Sequence, residues 1–243
     1  MFKYISTALL VIGLCIGLSA IAQDQEIQAG PHPKIVFPEQ SFDFGYAPEG
    51  FFLIHPFVVR NEGDGDLIIE RVRTTCGCTN APLKKSELAP GEETEVTVIF
   101  NSTRYNRRVS LGTIVSSNDP INRSIRATFT ANMDHTGFLF NVEPFGLEIE
   151  KGKSPPKKMT FTVENNSEND YELKLVQWTL DVLEEPNIKD NKLKAGKKTT
   201  IEVSIRDDYD YSEEYIKSSF TIEAEGAESQ FRFTIPVKGA GPK

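Results

Sequence analysis

An all-β fold, two tandem immunoglobulin-like β-sandwich domains after a signal peptide, is what this sequence predicts, on three observations. Short runs of strict apolar/polar alternation recur between turn signals. Beyond the N-terminus no stretch carries a helical stripe. The chain also repeats itself at an offset of about 105 residues, the size of one such sandwich.

The N-terminus, "MFKYISTALLVIGLCIGLSAIAQD", has one lysine, an apolar run from Ala8 to Ile21 and a small-x-small cleavage signal at Ala20-Ile21-Ala22. Residues 1–22 read as a secretory signal peptide, because the run is shorter than the ~20 residues that a spanning helix needs. Lipid attachment at Cys15 would require a small residue before it, and Leu14 stands there. The mature chain is expected to begin near Gln23, unlipidated and without a transmembrane segment, exported to the periplasm or the exterior. Residues 23–33 are polar and predict a disordered lead-in.

The first sandwich is placed at residues 34–133. Within it, Val96, Val98 and Phe100 alternate with polar or edge positions, as do Ile125, Ala127, Phe129 and Ala131. The second is placed at 138–243, where Ile201, Val203 and Ile205 repeat the pattern, followed by Phe231, Phe233, Ile235 and Val237. "FVVRNEGDGDLIIERV" from Phe57 matches "FTVENNSENDYELKLV" from Phe161, each strand ending in an asparagine; "LAPGEETEVTVIF" from Leu88 matches "LKAGKKTTIEVSI" from Leu193. "EGDGD", Glu62 to Asp66, reads as a hairpin turn joining the strand at Phe57 to the strand at Leu67. The junction "NMDHTG" is short and proline-free, which limits the range of angles between the halves.

"FDFGYAPEG", "NEGDGDLIIERVRTTCGCT", "LAPGEETEVTVIF" and "VSSNDP" together resemble the secreted domain-of-unknown-function family 1573 over most of Lys34 to Met133. The resemblance implies an Ig-like sandwich related to the ASH/MSP/Hydin type, and an export route. It implies no activity. The second half keeps the sandwich pattern, with Ala195-Gly196 at the Pro-Gly turn, and lacks the cysteines.

Once Cys15 is removed, Cys76 and Cys78 remain as an even pair in an oxidising compartment. On an extended strand their Cα atoms would stand about 6.7 Å apart and a disulfide could not close. Gly77 admits backbone angles that bring the side chains together, so bonding depends on the strand ending before Cys76. The pair has four readings: a structural clasp, a redox-active dithiol, a soft-metal site for Cu(I), and an intermolecular bridge. Pairing through the Gly63–Asp66 turn would set His55 opposite Val72, several residues from the thiols, so a copper site would need ligands from elsewhere. His32 and His135 lie in connecting segments.

No cofactor is indicated apart from that copper alternative, and no catalytic residue is assigned. "DDYDYSEEY", Asp207 to Tyr215, lacks the glycine and closing glutamate of a calcium loop. A net charge of −8 argues against a nucleic-acid partner. The loops after Phe100 and Ile205 are basic and acidic respectively, and both carry tyrosines. Arg104, Tyr105, Arg107, Arg108, Tyr209, Tyr211 and Tyr215 form a candidate contact surface. The reading is an exported, non-catalytic Ig-like binding or structural module of the cell envelope whose partner is an envelope protein or a polysaccharide. The alternative is thiol-redox or copper handling through Cys76 and Cys78. A third reading is a pilus-type periplasmic chaperone, with Ile125–Ala131 as the strand to be offered to a client.

Overall fold

The structure is a computed structural model that describes residues 30–150, 155–210 and 215–240. The signal peptide, Cys15, the lead-in up to residue 29 and Tyr211 lie outside the described residues. The first half contains β1 (Ile35–Val36), β2 (Ser41–Tyr46), β3 (Phe52–Asn61), β4 (Leu67–Thr74), β5 (Thr79–Asn80), β6 (Glu87–Leu88), β7 (Glu93–Asn101), β8 (Arg108–Ser117) and β9 (Ser124–Asn132). The second contains β10 (Phe140–Glu143), β11 (Leu147–Ile149), β12 (Met159–Asn165), β13 (Tyr171–Trp178), β14 (Asn187–Ile188), β15 (Lys192–Leu193), β16 (Lys198–Val203), β17 (Tyr215–Glu225) and β18 (Gln230–Ala240).

Among the described residues these strands form three sheets. Two are four-stranded, β1-β3-β7-β5 and β10-β12-β16-β14, and one from each half. The third runs through both halves in the order β15-β13-β17-β18-β2-β9-β8-β4-β6 with β11 beside β18. Each small sheet packs on its half of the large one, which makes two tandem Ig-like sandwiches. Alternation decides which side chains go inward. Val96, Val98, Phe100, Ala127, Phe129 and Ala131 are buried in one core, and Phe161, Val163, Ile201 and Val203 in the other.

The expected hairpin through Glu62–Asp66 is not formed, because β3 and β4 lie in opposite sheets: β3 pairs with β1 and β7, and β4 with β8 and β6. Asn61, the last residue of β3 and fully buried, is the physical reason. Its side-chain oxygen accepts from the Lys34 and Gly63 amides at 3.2 and 3.0 Å, and its amide donates to the Gly65 and Leu88 carbonyls at 2.8 and 3.0 Å. The turn is thereby tied to the chain entering β1 and to the end of β6, and it crosses between sheets. The lead-in is fixed from Pro31 onward by the same turn, with the His32 amide donating to Asp64 Oδ1 at 2.6 Å. Asn165 repeats the device at the end of β12. It donates to Asn169 O and Leu193 O and accepts from the Ser167 amide and hydroxyl.

Strands β17 and β18 are covered on both faces where the halves meet. The outward hydroxyls of Ser219, Thr221 and Thr234 are fully buried. Ser219 Oγ accepts from the Ile54 amide at 2.9 Å, Thr234 Oγ1 donates to Phe44 O at 2.7 Å, and the Thr221 and Thr234 hydroxyls meet at 2.9 Å. Lys238 Nζ donates to Gly50 O at 2.8 Å and lies 4.7 Å from the centre of the Phe51 ring. Tyr46 stacks on Phe138 at 4.4 Å. Gly45 makes the contact between β2 and β18 possible. It sits at φ +66, and a Cβ there would lie 1.9 Å from the Arg232 carbonyl oxygen.

Two outcomes follow from this packing. Asn61→Ala strands several buried backbone groups and is expected to lower stability by about 3 kcal/mol, read as a shift in the urea midpoint. The intact chain should unfold in one transition, and Gly45→Ala should separate that transition into two; calorimetry distinguishes the cases.

Candidate functional site: the disulfide corner of the first sandwich

Strand β4 ends at Thr74, two residues before Cys76, so the chain is already turning when it reaches the pair. The Cα atoms of Cys76 and Cys78 stand 5.3 Å apart, and the two sulfurs are bonded. Gly77 does not supply a left-handed conformation: it is absent from the glycines at positive φ, and a Cβ on it would meet nothing within 4 Å. The turn is held instead by threonines. Thr74 Oγ1 donates to Cys76 O at 2.9 Å, and the buried Thr79 hydroxyl lies 3.2 Å from Cys76 Sγ and 3.8 Å from Cys78 Sγ.

Thr75 makes a double clamp on β8. Its amide donates to Gly112 O at 2.9 Å, and its hydroxyl accepts from the Gly112 amide at 3.0 Å. The second sandwich has the same clamp without cysteines. The Thr179 amide donates to Ser219 O at 3.0 Å, and its hydroxyl accepts from the Ser219 amide at 3.0 Å. Beyond the clamp, the Asn101 amide donates to Cys78 O and the Arg206 amide to Val182 O, both at 2.9 Å. Thr79 pairs with Phe100 as Leu183 pairs with Ile205. "TCGCT" and "TLDVL" are therefore the same corner, and Cys78 takes the place of Val182. Cys78 is half-buried against the first core, and Val182 is buried in the second. Repeat alignment carried the signal for Thr75 and Thr179, which sequence reasoning missed.

The histidines are elsewhere. His55 points into the core of the first sandwich opposite Val98, not Val72. Its ring is stacked on Phe42 at 3.7 Å, and Nε2 lies 3.2 Å from Glu39 Oε2. His135 Nε2 lies 3.0 Å from Ala47 O. Among the described residues no group of three or more His, Cys, Asp or Glu side chains gathers as a metal site would require. With the sulfurs bonded to each other, neither is the thiolate that Cu(I) takes as ligand.

The candidate contact residues are divided among several tasks. The Arg104 amide donates to Glu49 Oε1 at 2.9 Å, Arg107 is exposed, and Arg108 opens β8 with a guanidinium nitrogen 3.9 Å from Asp43 Oδ2. Tyr105 turns its ring onto Phe100, centroids 5.3 Å apart, and Tyr209 packs against the second core. Tyr215 lies against Phe52 at 6.2 Å, its hydroxyl 3.5 Å from Glu148 Oε1. The described tyrosines of these two loops, Tyr105 and Tyr209, thus face their own cores. In the acidic loop, a bidentate hydrogen bond from Arg206 holds the Asp208 carboxyl below its usual value. The groove beside β7, of about 310 Å³ and lined by Val58, Lys84, Lys85, Glu93, Thr94 and Glu95, has its lysines paired with Glu95 and Glu92.

Two Ig-like sandwiches that share a sheet, one of them with a disulfide corner, make up the described chain. Residues 35–133 match the family described as "Protein of unknown function (DUF1573)". No curated protein matches the chain. Among solved structures, a protein of unknown function from Porphyromonas gingivalis W83 is 10% identical, with a TM-score of 0.34 over 84% of this chain and 98% of that one. The ASH/PapD-like domain 7 of human CEP192 is 12% identical, with a TM-score of 0.35 over 54% and 96%. The YadV chaperone is 9% identical, with a TM-score of 0.33 over 83% and 98%. Among the described residues no helix is long and apolar enough to cross a membrane.

The empty space around Gly77 makes a direct test. Gly77→Ala should leave the disulfide formed and shift stability by less than about 0.5 kcal/mol, as free-thiol assay and urea unfolding will report.

Proposed function

We propose that the protein is an exported, non-catalytic binding or structural module of the cell envelope, and that Cys76 and Cys78 are a structural clasp. The observation that carries the reading is the matched pair of corners. Where the second sandwich closes its end with Val182, the first closes it with Cys78 and the same backbone bonds. Chemistry that can be replaced by a valine at the equivalent position is packing. Export rests on the N-terminal sequence, and cell fractionation with N-terminal analysis tests it: a native chain starting near Gln23 outside the cytoplasm supports it, and an unprocessed cytoplasmic chain overturns it.

Replacing both cysteines by serine should lower stability by about 1–3 kcal/mol and leave the fold intact, since hydroxyls replace packed sulfur and the bond closes almost no loop. Unchanged stability would count against the clasp.

A second reading, thiol–disulfide exchange, is favoured by the partial exposure of both cysteines and by the Thr79 hydroxyl beside Cys76 Sγ. A partner thiolate would attack one sulfur and release the other as a thiolate. The partner's second thiol would then resolve the mixed disulfide, leaving Cys76 and Cys78 reduced and the partner oxidised. A Cys78→Ser variant that traps a partner through Cys76 supports this reading; the clasp expects no such adduct. The chaperone reading has less support, because β9, the strand considered for it, is hydrogen-bonded on both sides, to β8 and β2.

A further inference from the structure

The basic residues of the first sandwich are of three kinds: those paired with carboxylates, Arg104 and Arg107 in the loop after β7, and four arginines on or beside β4 and β9. Lys34, Arg60, Lys84, Lys85 and Arg108 each have a carboxylate within 4 Å. Arg71, Arg73, Arg123 and Arg126 are exposed and have no carboxylate partner among the described residues. Strand register gathers Arg71, Arg73 and Arg126 on one face, and Arg123 immediately precedes β9. Arg73 pairs with Ile114 and Ile114 with Arg126, so the two arginines flank β8 on a single rung. Arg71 pairs with Ser116 and Ser116 with Ser124 on the next. Val72, Val115, Ala127 and Phe129 point into the core, so the arginines point to solvent.

Arg73 and Arg126 are separated by one intervening strand, about 10 Å, and Arg71 and Arg73 by two residues, about 6.7 Å. Between them the floor along β8 is uncharged. It consists of Ile114, the hydroxyls of Ser116 and Ser124 in contact at 3.0 Å, and Gly112. Gly112 lies beneath Arg126: a Cβ there would stand 2.5 Å from the Ala127 carbonyl oxygen and 3.0 Å from Arg126 Nε, so the arginine side chain crosses over β8. Arginines on either side of β8, with Ile114 between them and serine hydroxyls on the adjoining rung, suit a linear chain bearing carboxylate or sulfate groups.

We infer that this outer face of β4, β8 and β9 binds a linear anionic polysaccharide. The inference rests on the binding-module reading above and names its partner. Charge complementarity selects a polyanion, in a chain whose net charge is −8 and where Lys34, Arg60, Lys84, Lys85 and Arg108 are already paired with carboxylates. The floor selects the kind of polyanion. Serine hydroxyls donate and accept, as sugar hydroxyls require. The outward residues of these rungs carry no aromatic ring on which nucleic-acid bases would stack.

The test is calorimetric titration of the purified intact protein with alginate, heparin, neutral dextran, polyglutamate and single-stranded DNA at about 50 mM and 200 mM salt. Expected are binding to alginate, heparin or both, none to dextran, and marked weakening at the higher salt; the first two arms distinguish carboxylate from sulfate as the recognised group. The variant Arg73→Ala/Arg126→Ala, whose side chains are exposed, should keep the parent urea midpoint and bind at least about tenfold more weakly. Lys84→Ala/Lys85→Ala, on the opposite sheet, should bind like the parent. The proposal is overturned by absence of binding to both anionic glycans, by equal weakening in the lysine variant, or by tighter binding of polyglutamate or single-stranded DNA. Such a result with the serine variant of the cysteines still folded and weakened removes the glycan and leaves the module reading standing.

Discussion

Every backbone amide and carbonyl left behind when a strand ends inside a sandwich must find a partner, and the buried side chains that supply one decide where the chain turns. Asn61 and Asn165 do this at the ends of β3 and β12, each serving both donors and acceptors of the following turn. Thr75 and Thr179 do it at the corner after β4 and β13. With these four side chains in place, β3 and β12 are assigned to the small sheets and β4 and β13 to the large one. The apolar alternation then fills a core between them. The disulfide sits inside this scheme, one residue beyond a clamp that exists with or without it.

The junction between the halves follows the same constraint. Strands β17 and β18 lose access to water on their outer face, and hydroxyl side chains there replace the lost hydrogen bonds, Ser219 at Ile54 and Thr234 at Phe44. A small hydroxyl is the residue type that can face solvent in an isolated sandwich and a neighbour in a fused one. The cost of covering a polar face is therefore small when it is bonded. The result is a single sheet running through both sandwiches, which holds the arginine face of the first at a fixed attitude to the second.

Much of this was legible in the sequence. Period-two alternation named the core residues of β7, β9 and β16, and the repeat pointed to the two asparagines. The hairpin assigned to Glu62–Asp66 shows the limit: alternation reports which side of a strand is buried, not which sheet the strand belongs to, so β3 and β4 looked like neighbours. Arg71, Arg73 and Arg126 are scattered along the chain and meet only through the register of β4, β8 and β9. The cysteines were legible as a pair, but their bonding depended on β4 ending at Thr74, a boundary that propensity does not fix.

The central claim is that one corner was built twice, with sulfur in the first sandwich where the second has aliphatic carbon. It is tested most directly by writing the second corner into the first, as Cys76→Leu, Gly77→Asp and Cys78→Val together, and measuring the urea unfolding of this variant beside the parent. The account predicts a folded protein whose stability lies within about 1 kcal/mol of the oxidised parent and no longer depends on reductant. Failure to fold, or a loss as large as that of the serine variant, would contradict it.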